Sequence, residues 1–251
     1  MKSSTRALAA HYDALYRKTG FGDAPRFYRW IADRADARPD EAVIDIGCGA
    51  GGAVAAFAER GVTAIGLDFS RVALTATRAA IPPAPLVEGD GAQLPIATGT
   101  IDVLVNLGNL EHFRDLEGGV REMHRVLAPA GRALVLLPNL FYSGVIWRVL
   151  RGGEGPNHHQ PIDRFATKSE WSAWLEWGGL RIDRVTPYHK GKRWKRLLPR
   201  ALAWHFLFEC RKGEPSRGAP PPAPLGRIEP HLFSEEAKGA EASSGRKTPG
   251  R

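Results

Sequence analysis

The sequence predicts an α/β protein built on a mostly parallel sheet with helices on both faces. Through residues 41–140, short apolar runs alternate with helix-length segments, the pattern of parallel strands joined by crossover helices. The first run, Val43–Ile46, leads directly into Gly47-Cys48-Gly49-Ala50-Gly51-Gly52. Its G-x-G-x-x-G spacing lets the backbone turn sharply and lets a ligand approach the main chain at a helix start. A second run ends at Asp68, 21 residues after Gly47, where nucleotide-binding α/β proteins set a carboxylate against ribose hydroxyls.

The elements follow in order. Residues 1–40 read as an N-terminal helical segment. After the strand at 43–46, residues 50–60 are helical and stop at Gly61. Residues 63–67 form a buried strand. Ser70 caps a helix that runs to Ala80 and ends at the proline pair 82–83. Strands are expected at 86–88, 101–106 and 132–137, with a helix over 115–127 before Pro129 and Gly131. An amphipathic helix is expected over 141–150 and a loop over 151–166. Thr167 and Glu170 form a capping box for a helix that stops at Gly178 and Gly179. Residues 180–188 and 201–210 read as strands, and their link holds no crossover helix, so they suit antiparallel pairing. Residues 213–251 are rich in Pro, Gly, Ser and charge and poor in large apolar residues, and are expected to be a disordered tail.

Composition narrows the class. No apolar run reaches the ~18 residues of a membrane span, so no transmembrane segment is expected. The first residues lack the apolar core of a secretory signal. Two cysteines, Cys48 and Cys210, make neither a disulfide framework nor a metal cluster, and a reducing, cytoplasmic setting is expected. The net charge of +8 is unevenly placed. Residues 1–140 hold 15 Lys/Arg and 16 Asp/Glu, whereas residues 141–212 hold 14 and 6. Six of the seven tryptophans also lie beyond residue 140.

Around the glycine turn the acids are informative. Asp45 lies two residues before Gly47. There it opposes a pyrophosphate and suits a ligand with an ammonium group. Phe69, beside Asp68, is placed to cover a face of adenine. Asp90, in Glu88-Gly89-Asp90-Gly91-Ala92, can accept from the exocyclic adenine amine.

With these residues the chain resembles the class I S-adenosylmethionine-dependent methyltransferases, and is most similar to the small-molecule branch that includes quinone-biosynthesis enzymes. VIDIGCGAGG, GLDFS, EGDGAQLP, IDVLVNLGNLEHF and REMHRVLAPAGRALVLLPN carry the resemblance, in family order, over roughly residues 40–140. It implies a Rossmann-like, doubly wound, seven-stranded sheet with an antiparallel last strand. It makes 41–140 the cofactor-binding core and 141–212 a substrate-side insert with the last two strands. By resemblance Asp45, Gly47, Cys48 and Gly49 hold the methionine end of S-adenosylmethionine, and Asp68 takes the ribose. Phe69, Asp90 and Gly91 frame the adenine, and Asn106 lies beside the reactive methyl. Cys48 reads as a packing residue rather than a nucleophile.

The expected acceptor is a small molecule or a lipid-linked, membrane-associated one, with anionic character suggested by KGKRWKRLLPR at 190–200. RNA or protein methylation stays open as an alternative, as does non-catalytic nucleotide binding. Asn106-Leu107-Gly108-Asn109 stands where many amino-group methyltransferases carry Asn-Pro-Pro-Tyr, which argues against nucleic acid. His158, His159 and His189 are candidate bases for a hydroxyl acceptor. Glu111-His112 lacks the first glutamate of the Glu-x-x-Glu-His metal arrangement, Gly108 standing in its place, so no metal is expected. Tyr188 and Lys192 match Tyr-x-x-x-Lys of short-chain dehydrogenases, but Pro187 and Gly191 speak against the helix that pair requires. Trp171, Trp174 and Trp177 read as core packing.

Overall fold

A computed structural model describes residues 3–19, 22–81, 83–156, 160–191 and 197–228. Two helices come first, α1 (Ser3–Thr19) and α2 (Pro25–Ala35). The core then alternates: β1 (Val43–Ile46), α3 (Gly52–Ala58), β2 (Ala64–Asp68), α4 (Arg71–Ala80), β3 (Leu86–Glu88), β4 (Ile101–Leu107), α5 (Leu116–Val126) and β5 (Leu127–Pro138). It closes with α6 (Ser143–Leu150), β6 (Ile162–Phe165), α7 (Lys168–Trp177), β7 (Leu180–Tyr188), β8 (His205–Lys212) and β9 (Leu225–Ile228).

Seven strands form one sheet in the order β3-β2-β1-β4-β5-β8-β7. β1 to β5 pair in parallel, and β8 runs antiparallel to both β5 and β7. The order reverses at β1, so the ends of β1 and β4 open a crevice, the usual ligand position in such sheets. Side chains alternate between the faces. Ile44, Leu104 and Val135 join the core under α5 and α7, while Val43, Val103 and Leu134 join the core under α2 and α3. Trp171, Trp174 and Trp177 belong to the first of these cores.

Local signals hold where they are short-range. The Ser70 hydroxyl accepts from the Ala73 amide at 3.2 Å, and both halves of the Thr167–Glu170 capping box are formed. Two stretches differ from expectation. Within 151–166, expected as loop, Ile162–Phe165 is strand β6, paired antiparallel with Leu225–Ile228. Residues 213–228, expected to be disordered, lie against the domain. The reason is polar satisfaction. The indole N–H of Trp174 donates to the Pro222 carbonyl at 3.1 Å, and that of Trp177 to the Gly218 carbonyl at 2.9 Å. Prolines supply acceptors without adding donors, and β9 adds a backbone ladder. Residues 229–251 of the expected tail lie outside the described residues.

Candidate functional site

The main cleft lies beyond the C-terminal ends of β1, β2 and β4, with a cavity of about 400 Å³, within the range of small-molecule sites. Its floor is the glycine turn. Gly47 and Gly49 have φ of 74° and 55°, a region closed to most side chains. A Cβ on Gly47 would strike the Asn109 amide, and one on Gly49 the Tyr16 hydroxyl. The turn is therefore kept bare between β4 on one side and α1 on the other.

Asp68 ends β2 and braces the turn. Its carboxylate accepts from the Gly49 amide at 3.0 Å and the Ser70 amide at 2.8 Å. It is 7% exposed, and burial raises its pKa to about 6 despite those donors. Asp45, 3% exposed, lines the same cleft. Burial, then the charge of Asp68, raises it to about 7. Two buried acids of this kind are stabilised as anions by a cation placed between or beside them. Burial likewise raises the Cys48 thiol, with the charges of Asp45 and Asp68 adding to it, so Cys48 is a packing residue against Val54 and Leu74.

Beside this floor is an apolar recess lined by Leu8, Ile46, Leu67, Phe69 and Phe113, with Asp90 and Gly91 at its edge. Phe69 is held edge-on by Tyr12, with ring centres 5.1 Å apart. Asp90 fixes its own loop through the Ala92 amide at 2.9 Å. A Cβ on Gly91 would run into the Phe113 ring. The recess, about 30 Å³ in volume, offers apolar walls and a carboxylate to one edge of a planar ring. The recess and the main cleft share Gly47, Asp68, Phe69, Asn109 and His112. One ligand can therefore reach Asp45, Asp68 and the apolar recess at once.

Asn106 departs from expectation. β4 runs one residue further, to Leu107, and Asn106 pairs inside the sheet with Ile46 and Val135. Its side chain is wholly buried and caps the following 3-10 turn (Leu110–His112) by accepting from the Leu110 amide at 3.0 Å. It does not line the cleft. Leu107, Gly108 and Asn109 do.

A buried polar cluster that sequence reasoning did not assemble faces the cleft on its other side. Glu111 and His112 are 1% and 8% exposed, and Asp163 and Arg164 of β6 are 2% and 7% exposed. Arg164 donates to the carbonyls of Glu111 and Phe113. His112 Nδ1 lies at the Ile162 carbonyl. A carbonyl only accepts, so Nδ1 is the donor of that contact, with Asp163 Oδ1 3.4 Å from it. Nε2 is 3.7 Å from Glu111 Oε1. Burial raises Glu111 to about 8, with the charge of Asp163 adding to it. Among the described residues, Glu111 Oε2 and the Tyr12 hydroxyl have no hydrogen-bond partner although buried, and both residues line the cleft. The one available signal was the adjacency of Glu111 and His112; β6, which orients them, is 50 residues away.

His158, His159 and Lys192 lie outside the described residues. His189 lines a neighbouring groove with Phe27, Trp30 and Leu198, which meets the main cleft at Tyr188. Tyr188 ends strand β7 rather than standing on a helix. Among the described residues no group of three or more His, Cys, Asp or Glu could hold a metal ion.

Comparison with known proteins agrees with this geometry. Residues 44–135 match the family described as Methyltransferase domain. A demethylmenaquinone methyltransferase from Thermus thermophilus is 31% identical over 151 residues, covering 57% of this chain and 69% of the relative. One from Corynebacterium kroppenstedtii is 39% identical over 143 residues, covering 54% and 61%. For the first relatives compared, the match spans 56%, 61% and 53% of the relative's length, little more than half. Among solved structures, the Burkholderia thailandensis 1,6-didemethyltoxoflavin-N1-methyltransferase, with its substrate and S-adenosylhomocysteine bound, superposes with a TM-score of 0.61 at 19% identity. It covers 83% of this chain and 88% of that one.

Proposed function

Because the chain belongs to the S-adenosylmethionine-dependent methyltransferases, we propose that it transfers a methyl group from S-adenosylmethionine to a small, lipid-linked or anionic acceptor. The observation that carries this reading is the placement of Asp45 and Asp68 in one cleft with the bare Gly47–Gly49 turn, beside an apolar recess lined by Phe69, Asp90 and Gly91. Two buried acids with raised pKa values favour a ligand that brings its own cation. Asp45 and the turn amides would hold the methionine end, Asp68 the ribose hydroxyls, and Phe69, Asp90 and Gly91 the adenine. S-adenosylmethionine, when bound, supplies a methyl group already activated on a sulfonium.

The protein's own share is then alignment and exclusion of water. α1 does the latter, setting Tyr12 and Tyr16 along the cleft. Where the acceptor is a hydroxyl, His112, which lines the cleft beside Glu111, would take its proton. The relatives named for demethylmenaquinone support a small acceptor of quinone type.

The test is incubation with methyl-labelled S-adenosylmethionine and a cell extract split into lipid, small-molecule, RNA and protein fractions. Label in the lipid or small-molecule fraction is expected. Label confined to RNA or protein would replace the acceptor class, and no label in any fraction would count against transfer.

A further inference from the structure

We propose that α6 seats the protein on the surface of an anionic lipid bilayer, with Phe141, Trp147 and Leu150 entering the interface and nearby arginines meeting lipid phosphates. Six large hydrophobic residues are exposed among the described ones, and four of them lie between positions 141 and 150. Phe141 is 54% exposed, Trp147 61%, Val149 50% and Leu150 74%. Single exposed apolar residues need no explanation, whereas a cluster of this size marks a contact surface. Trp147 and Leu150 are three apart and share a helix face. Val145 is the residue of α6 that turns into the core, at 6% exposure. The helix thus shows an apolar face outward, the reverse of a core-packing surface helix.

Charge decides between occupants. The Arg151 guanidinium lies 5.3 Å from the centre of the Trp147 ring. Arg148, in the last turn of α6, adds a second cation. These residues lie within the segment 141–212, which holds 14 Lys/Arg against 6 Asp/Glu. A second copy of this chain would bring the same pair, Arg148 and Arg151, to the contact and be repelled. An anionic bilayer answers both the apolar and the positive character, as for interfacial helices that join aromatic residues to basic ones. No helix among the described residues is long and apolar enough to cross a membrane, so the contact is with the surface.

The face is also continuous with the cleft. The Tyr142 ring, at the start of α6, lies 6.2 Å from the Trp204 ring. Trp204 lines the cleft and carries the Lys190 ammonium 4.7 Å from its ring centre. Docking through α6 would therefore bring the cleft near the bilayer surface. The inference rests on the proposed methyl transfer only for its use. Vesicle binding is measured without cofactor or acceptor, so the two readings fail separately.

The experiment is co-sedimentation of the full chain with vesicles of phosphatidylcholine alone and of phosphatidylcholine mixed with phosphatidylglycerol, at low and physiological salt. The parent should bind the mixed vesicles roughly tenfold more tightly than the neutral ones and lose affinity as salt rises. The double variant Trp147→Ser/Leu150→Ser should bind them roughly tenfold more weakly or less, because the interfacial apolar area is gone. Its melting temperature and S-adenosylhomocysteine affinity should match the parent's. Arg151→Glu should weaken the preference for phosphatidylglycerol. Absence of binding to the mixed vesicles at low salt would overturn the proposal. So would parental binding by the serine pair, or a parent that self-associates through this face without binding vesicles.

Discussion

The two sides of the cleft are assembled by different means. The cofactor side comes from three short, contiguous pieces, Val43–Gly52, Asp68–Ser70 and Glu88–Ala92, each at the end of a parallel strand. Its polar contacts are short-range or cross one strand, as when the Gly49 amide meets Asp68. The acceptor side draws Tyr12 from α1, Glu111 and His112 from the turn after β4, Gln160 from the approach to β6, and Tyr188 and Trp204 from either side of a long connection. The first side carries Asp45, Asp68, Glu88 and Asp90 and no Lys or Arg within its three pieces. A shared cofactor can be held by backbone geometry that local sequence dictates. The opposite side of the cleft is lined by side chains that only tertiary packing brings together.

The comparison can be broken from either side. The largest effect is expected at the turn. Gly49→Val places a branched side chain at positive φ and against the Tyr16 hydroxyl, and should weaken S-adenosylhomocysteine by more than ~100-fold, equivalent to a few kcal/mol. Isothermal titration reads this directly, and a loss below tenfold would show that the turn is not the floor of the site.

Next comes the far end of the chain. A truncation after Lys212 removes β9 and the acceptors of two tryptophan indoles. Two lost hydrogen bonds cost roughly 0.5–1.5 kcal/mol each, and the strand ladder and the cover over both indoles go with them, so the melting temperature should fall by several degrees. Gly226→Val should act in the same direction, because its Cβ would meet the Asp163 carbonyl. A truncated chain that melts with the parent would mean the strap contributes nothing.

A third effect is in pH. Burial holds Asp45 at about 7, Asp68 at about 6 and Glu111 at about 8. Each keeps a proton in the folded chain that it releases when unfolded, so the folded state binds more protons across this window. Ligand-free stability should therefore fall as pH rises from about 5 to 8. Glu111→Gln, neutral at every pH, should flatten the decline. A melting temperature that climbs over that range would contradict the burial of these acids.

The smallest effect is Thr167→Ala. It removes one capping contact and should cost about 1 kcal/mol in chemical unfolding, leaving ligand affinity alone.

What could be read in advance follows the same division. Val43–Ile46, the glycine turn, the Ser70 cap and the Thr167–Glu170 box each declare themselves within ten residues, because their chemistry is local. β6 does not, because its partner is β9, more than 60 residues along the chain. The stretch 213–228 looks disordered on composition, and is held by indole donors that lie on α7. Asn106 follows Leu104 onto the inner face of β4, where an asparagine expected at the cleft instead caps Leu110. The Glu111–His112 pair was visible as letters, but its burial and the fixed Nδ1 proton depend on Ile162.

The most direct test of the central claim is calorimetric titration of the parent and Asp68→Asn with S-adenosylhomocysteine and with NADH. Asp68 braces the Gly49 and Ser70 amides and faces the proposed ribose position. Loss of its charge should weaken two charge-assisted contacts worth ~1.5–3 kcal/mol each. The account predicts that the parent binds S-adenosylhomocysteine and not NADH, and that Asp68→Asn binds it roughly 100-fold more weakly. Equal affinity in the two proteins, or binding of NADH in preference to S-adenosylhomocysteine, would contradict it.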